Sequence, residues 1–259
     1  MLEPILSHNT KPNSFNTILR KYNALEYSSK LMSLLNKIYP NKNFADHTKF
    51  ELHKIFNDLF INNYRSEEVL KFKLFEKLED KKNFTGAFEI PVADSRVDFI
   101  TINGRTTSYE IKSEFDNLSK LKKQVNDYSK AFEYNYVVLD VKHKKKAERI
   151  IPENYGILTF RNGNLYQSRK ALLNKNIQSK VQLSLLSKKE LNKGFSTLNE
   201  QEILESFESK QINKIFKDIL RNRYSKKWNF LLDNQHDILP IDIQFFFKTN
   251  INPLDIYSY

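Results

Sequence analysis

Three polar side chains in the middle of the chain have the types and the spacing to bind a divalent metal ion. Glu110 and Lys112 stand two residues apart, and Asp98 lies in the preceding apolar segment. Because alternate residues of a β-strand point to the same face, Glu110 and Lys112 would lie side by side in a strand. Carboxylate oxygens are the ligands that Mg²⁺ prefers, and an ammonium can orient water or stabilise a phosphate. This pattern indicates metal-dependent hydrolysis of a phosphodiester.

The Glu-x-Lys spacing by itself has a simpler interpretation, because an ordinary half-exposed strand also alternates polar and apolar residues. Other polar residues nearby favour the chemical interpretation. Gln124 and Tyr128 lie four residues apart on a predicted helix and therefore share one face. Glu67 and Glu68 lie in the predicted helix that precedes Asp98.

The hydrophobic pattern changes twice along the chain and so predicts the elements that position these residues. Residues 1 to about 60 have helical spacing, and a further helix is predicted at 66–80 with Ser66 as its N-cap. Strands and a helix follow, and helical spacing returns from about residue 170, with a capping box at 197–200. The predicted strands are 87–92, 96–102, 106–113, 136–141 and a hairpin at 156–168, and the helix is 116–132. This order predicts an α/β core between two helical flanks.

The turn at Asn103-Gly104 decides whether two of the acids can work together. A two-residue turn would place Asp98 opposite Tyr109, on the wrong side from Glu110. A three-residue loop, or a bulge, shifts the pairing by one residue and brings Asp98 to the side of Glu110. Shared chemistry therefore requires the longer loop.

The stretch from Tyr64 to about His143 resembles the PD-(D/E)XK nuclease superfamily. An acidic helix, a strand with Asp98, a Glu-x-Lys strand and a Gln-x-x-x-Tyr helix follow in the order of that superfamily. The stretch is similar to a poorly characterised bacterial and phage branch whose last helix is RecB-like. The resemblance implies a restriction-endonuclease-like core with a mixed central sheet flanked by helices. It also implies a division into an N-terminal helical segment at 1–62, a core at 63–169 and a C-terminal helical region at 170–259.

The resemblance also implies roles for individual residues. Asp98 and Glu110 would be metal ligands, with the carbonyl of Ile111 completing the shell around Mg²⁺ or Mn²⁺. Lys112 would orient water or stabilise the phosphate charge. Gln124 would belong to the catalytic site, next to the metal and the DNA. Tyr128 would contact the nucleic acid.

A fourth carboxylate is expected from the helix before the sheet, and Glu68 is the predicted ligand. Its neighbours at i+4 and i+7, Phe72 and Phe75, place it nearer the buried side than Glu67. Acids in a first helical turn are also favoured simply by the helix dipole. Both explanations of these acids stay open at the level of sequence.

Composition narrows the class of protein. The chain of 259 residues has a formal net charge of +11 and no cysteine, which excludes disulfides, zinc–thiolate sites and thiol nucleophiles. The charge favours a polyanionic partner, DNA above all, although a merely basic protein would show it too. The predicted nucleic-acid contacts besides Tyr128 are Lys122, Lys123, Lys144 and Lys145. No secretory signal or membrane span is predicted, so the expected location is the cytoplasm.

The sequence thus predicts a Mg²⁺- or Mn²⁺-dependent nuclease that acts on DNA. Two alternatives remain open. The chain could be a non-catalytic nucleic-acid-binding protein that retains the nuclease fold, or a complex subunit in which the core is a scaffold. A protein partner, or a second copy of the chain, is expected to bind through the helical flanks.

Overall fold

The sheet has six strands in the sequential order β1 to β6, in a computed structural model that describes residues 12–258. Pairing is antiparallel for β1–β2, β2–β3 and β5–β6, and parallel for β3–β4 and β4–β5. The sheet is therefore mixed, with its parallel strands in the middle, where crossover helices can cover them. The strands are β1 Thr85–Val92, β2 Ser95–Ile102, β3 Thr106–Lys112, β4 Tyr134–Asp140, β5 Gly156–Arg161 and β6 Asn164–Arg169.

Helices flank this sheet, and further helices precede and follow its strands in the sequence. They are α1 Pro12–Leu19, α2 Ser28–Ile38, α3 Lys49–Asn63, α4 Glu67–Lys77, α5 Leu121–Ser129, α6 Lys144–Glu148, α7 Ser179–Ser184, α8 Lys188–Phe195, α9 Glu200–Ser206, α10 Ser209–Asp233, α11 Ile243–Thr249 and α12 Pro253–Tyr257. The predicted α/β class, with a mixed sheet flanked by helices and further helical segments at both ends, is confirmed. The predicted helical start of the N-terminal segment lies outside the described residues. None of the helices in 12–258 combines the length and the apolar character needed to cross a bilayer.

Two helix starts differ from the prediction, both because polar side chains bond to nearby backbone. The predicted helix 116–132 begins only at Leu121: Asp116 accepts from the backbone N–H of Ser113, and Asn117 from that of Ser119. Such local bonds compete with helix formation. The cap of α9 is Asn199 rather than Thr197, since the Asn199 side chain accepts from the second and third N–H groups of the helix.

The β2–β3 hairpin has the longer of the two loops considered above. Ile102 pairs with Thr106, so Asn103, Gly104 and Arg105 form a three-residue loop closed by a bond from the Asn103 N–H to the Arg105 carbonyl. Gly104 has φ +61°, a conformation that glycine adopts without steric cost. The register that follows is the one required for Asp98 to lie on the side of Glu110.

The C-terminal segment packs directly on the sheet. Trp228 of α10 is buried and donates its indole N–H to the carbonyl of Lys81. Its ring lies against Gly86 of β1, where an added Cβ would come within 2.4 Å of the ring. The absence of a side chain at Gly86 therefore lets α10 reach the strand.

A buried polar cluster joins the N-terminal and C-terminal segments. Tyr22 and Tyr257 each donate to the Asp242 carboxylate at 2.9 Å. The Tyr22 hydroxyl also lies 2.9 Å from Nδ1 of His53, which is fully buried. Burial raises the pKa of Asp242 to about 6 and lowers the pKa of His53 to about 4.

His53 is expected to make the protein sensitive to acid. Its pKa falls from 6.5 in the unfolded chain to about 4 in the folded protein. The neutral ring therefore contributes stability above pH 6.5 that is lost as the pH falls toward 4, in total about 3 kcal/mol. Chemical denaturation of wild type and His53→Gln across this window should show the wild type losing stability relative to the variant. A difference in unfolding free energy that does not change with pH would contradict the assignment.

Candidate metal centre

Asp98 lies where β2 and β3 separate. The last regular pair between these strands is Phe99 with Tyr109, so Asp98 faces Glu110 one step further on. There the Asp98 carboxylate accepts from the backbone N–H of Ile111 at 2.6 Å, in place of a strand partner. Because the N–H and C=O of a strand residue project to the same edge, the Ile111 carbonyl is directed toward this gap as well. The predicted ligands Asp98, Glu110 and Ile111 thus meet at one point of the sheet.

Glu110 is buried, with 1% of its surface exposed, and both of its carboxylate oxygens have partners. Oε1 pairs with the ammonium of Lys112, which lies on the same face of β3. Oε2 accepts from the Tyr128 hydroxyl at 2.7 Å. The carboxylate is therefore held in one orientation by a strand neighbour and by helix α5.

The helix carboxylate that joins this centre is Glu67, which corrects the prediction of Glu68. One carboxylate oxygen each of Glu67, Glu89 and Asp98 lie within 4.8 Å of one another, and Glu68 is outside this group. Ser66 does occupy the N-cap position of α4, but its side chain makes no capping bond. Helix α4 is oriented so that its first residue, Glu67, faces the sheet. The spacing to Phe72 and Phe75 therefore predicted the wrong one of the two glutamates.

Glu89 was not predicted, although a register count can find it. The β1–β2 hairpin pairs Val92 with Ser95 and Phe88 with Phe99, so Glu89 is opposite Asp98. Three adjacent strands therefore carry an acid at the same level. Glu89 has φ +59°, a conformation that costs a residue with a side chain about 1–3 kcal/mol and is concentrated at functional sites.

Lys71 is a second unpredicted member of the centre. Its ammonium lies 2.5 Å from Glu67 and 2.6 Å from Glu89, and it donates to the Gln244 side chain of α11 at 2.5 Å. Arg96 pairs with the other oxygen of Glu89 at 2.5 Å. The sequence offers no signal for Lys71, because a lysine between apolar helix residues is ordinary.

Burial and mutual repulsion shape the acidity of the two central carboxylates. Burial, followed by the neighbouring Glu110 charge, holds the pKa of Asp98 well above its usual range. Burial also raises the pKa of Glu110, against the attraction of Lys112. Burial alone would lower the pKa of Lys112, but its attraction to Glu110 outweighs this and the net shift is upward. The centre therefore favours added positive charge.

The Gln-x-x-x-Tyr pair of α5 consists of Gln124 and Tyr128, and Tyr128 contacts Glu110. Tyr128 is fully buried, and its hydroxyl lies within hydrogen-bond distance of both Glu110 and the Arg96 carbonyl, so it cannot contact a nucleic acid as predicted. Helix α5 packs too closely on β2 to leave its ring accessible. Gln124 is half-buried, and within the described part of the chain its buried Oε1 has no hydrogen-bond partner.

Tyr128→Phe is expected to lower the affinity for Mn²⁺ by about 10–100-fold, because an outer-shell donor orients the ligand it contacts. Tyr155→Phe is a matched control, since Tyr155 is equally buried and donates to the Val125 carbonyl of the same helix without touching Glu110. Calorimetric Mn²⁺ titrations of both variants measure the difference. Equal affinity losses in the two variants would assign Tyr128 a merely structural role.

A cavity of about 360 Å³ opens beside Glu67. Its wall includes Arg20, Ser113 and Phe115, and the Phe115 ring is 39% exposed and stacks on Tyr64 with centroids 4.7 Å apart. The carboxylate group therefore borders an open cavity.

The predicted basic contacts lie on two surfaces. Lys122 and Lys123 are exposed on α5, and Lys123 is already paired with Asp127 at 2.8 Å. Lys144 and Lys145 begin α6. The preceding His143 contacts the Ser113 carbonyl at the end of β3, with its Nε2 at 3.0 Å. The α6 lysines thus flank the same edge of the sheet as Lys112.

Fold and site define an α/β protein whose mixed sheet carries a buried carboxylate centre. A family model described as Bacteriophage P4 protein cII matches residues 61–246, and the chain belongs to this family. Protein cII of Enterobacteria phage P4 is 28% identical over 197 residues, which are 68% of this chain and 75% of that protein. A solved protein of unknown function from Silicibacter pomeroyi is 17% identical, with a TM-score of 0.34, and the match covers 44% of this chain and 77% of that one.

Proposed function

We propose that the chain is a metal-dependent nuclease that cleaves phosphodiester bonds, with DNA as its substrate. The observation that carries the proposal is the register of β2 and β3, which sets Asp98 opposite Glu110 with Lys112 beside them. The resemblance to PD-(D/E)XK nucleases assigns chemistry to these same three positions. We place the activity in the cytoplasm.

The donor set suits Mg²⁺ or Mn²⁺. Asp98, Glu110 and the Ile111 carbonyl would hold the ion, and all three offer the hard oxygen atoms that these cations require. Gln124 contacts Tyr128, and its buried Oε1, which has no partner among the described residues, is a further possible acceptor. When bound, the ion would supply Lewis-acid stabilisation of the phosphate charge.

Lys112 has two roles in this proposal. In the absence of substrate its ammonium neutralises Glu110. With an ion held by Glu110, the Lys112 ammonium would be available to orient water or to stabilise the charge that develops on the phosphate. Tyr128 keeps the other oxygen of Glu110 fixed. The α6 lysines would bind the phosphates that flank the cleaved bond.

One observation favours a non-catalytic alternative. Both oxygens of Glu110 are satisfied by protein groups, as expected if the fold were retained only to bind nucleic acid or to serve as a scaffold in a complex. In that case the helical flanks would bind a partner or a second copy. Cleavage assays separate the two functions.

The test is incubation of the protein with linear, circular and single-stranded DNA in Mn²⁺ or in chelator. We expect Mn²⁺-dependent cleavage by the wild type and none by Asp98→Asn, whose amide oxygen still accepts from the Ile111 N–H. Glu76→Gln is the matched control on helix α4, since Glu76 pairs with Lys73 outside the centre, and should cleave normally. DNA binding without cleavage in any metal would favour the non-catalytic alternative. Equal cleavage by Asp98→Asn would place the activity elsewhere.

A further inference from the structure

Lys71 occupies a position inside the carboxylate centre that resembles a cation site. Its side chain is only 4% exposed, and three oxygens from three elements surround the ammonium: Glu67 of α4, Glu89 of β1 and Gln244 of α11. A buried ion pair of this kind is weak evidence for stability, because desolvation offsets most of the attraction. A contribution to stability therefore does not explain why Lys71 is buried among these acids.

Asp98 is shared between two groups of ligands. On one side, one of its oxygens lies within 4.8 Å of one oxygen of Glu67 and one of Glu89. On the other side it faces Glu110 across the β2–β3 gap. The two ions of a two-metal hydrolase lie about 3.5–4 Å apart, so one carboxylate can serve both. The Lys71 ammonium lies among the acids on the Glu67 and Glu89 side of Asp98.

The charges of the centre agree with a single additional ion. Four carboxylates and the three cations that pair directly with this group leave one net negative charge when all are ionised; the acids are Glu67, Glu89, Asp98 and Glu110, and the cations are Lys71, Arg96 and Lys112. One divalent ion reverses this charge to a single positive one. A second divalent ion would have to enter a group that is already positively charged.

We propose that Lys71 is the built-in second cation of this centre, so that the protein binds one divalent ion at Asp98 and Glu110 and excludes a second from Glu67 and Glu89. The inference rests on the proposed metal-dependent function and specifies its metal requirement. Lys71 is then a positioning residue that holds Glu67 and Glu89 in place of an ion. Glu89, with its unusual backbone conformation, serves Lys71 rather than the divalent ion.

The experiment counts Mn²⁺ ions bound per chain by calorimetric titration, with the free ion followed by electron paramagnetic resonance. We expect about one ion for the wild type and about two for Lys71→Met, which keeps the length of the side chain and removes its charge. Adding Glu89→Gln to Lys71→Met should return the count to about one. Lys73→Met is the matched control on the same helix, since Lys73 pairs with Glu76 at 2.8 Å outside the centre, and should bind about one ion.

Two ions in the wild type would overturn this inference and leave the nuclease proposal intact, whereas no ion in the wild type would overturn both. A folded Lys71→Met variant that still binds one ion with wild-type affinity would also overturn it. If Lys71→Met does not fold, as judged by circular dichroism, the single variant Glu89→Gln provides the test. It should bind one ion with unchanged affinity, and loss of that ion would show that Glu89 is itself a ligand.

Discussion

Lys112→Ala is expected to reduce Mn²⁺-dependent DNA cleavage by about 10²–10³-fold, the usual cost of removing one group that stabilises charge in a transition state. In the folded protein this lysine pairs with Glu110 and has only 12% of its side chain exposed. The variant retains both acids, so we expect Mn²⁺ still to bind. The substitution should lower the rate constant of the cleavage step, measured in single-turnover cleavage of linear DNA.

Lys217→Ala is the matched control for this prediction. Lys217 has a similarly buried side chain, 16% exposed, and pairs with Glu133 at 3.0 Å away from the carboxylate centre. The control should have a comparable effect on the melting temperature and none on cleavage. Equal activity losses in Lys112→Ala and Lys217→Ala would mean that a general loss of structure explains both.

Trp228→Ala is expected to lower the free energy of unfolding by about 3–5 kcal/mol, the range for truncating a buried large aromatic side chain. The indole ring fills the space above Gly86 and contacts Phe75, Phe84 and Phe99. Because it is the only tryptophan of the chain, unfolding of the variant is followed by circular dichroism instead of fluorescence. Urea denaturation gives the difference in free energy.

A double-mutant cycle tests the contact itself. Gly86→Ala brings a methyl group into the Trp228 ring and should destabilise the wild type, whereas in the Trp228→Ala background it meets the space that the ring has left. The two substitutions should therefore be non-additive, with the double variant more stable than the sum of the single losses implies. Additive losses would show that α10 does not reach β1 through this contact.

The sequence predicted the elements with regular patterns and missed those that depend on distant contacts. The strands around Asp98 and Glu110 were predicted to within two residues because β-branched and aromatic residues alternate there. The start of α5 was misplaced because the side chains of Asp116 and Asn117 bond to local backbone. Propensity averaged over a window does not detect such single bonds.

The candidate site shows the same division. The spacing of Glu110 and Lys112 follows from strand geometry, and the structure places them on one face as predicted. The rotation of α4 that brings Glu67 to Asp98 depends on how the whole helix packs, which local spacing does not determine. Lys71 depends on Gln244 of α11 and on the backbone of Glu89, which lie far apart in sequence. Glu67 and Lys71 can therefore be assigned to the centre only from the tertiary structure.

The central claim is that Asp98 and Glu110 together hold one divalent ion, and crystals grown with MnCl₂ test it most directly. Anomalous scattering should give one peak between these carboxylates, within coordination distance of an oxygen of each and of the Ile111 carbonyl. Lys112 should have left Glu110. A map in saturating Mn²⁺ without a peak between the two acids, and with Lys112 still paired to Glu110, would contradict the account.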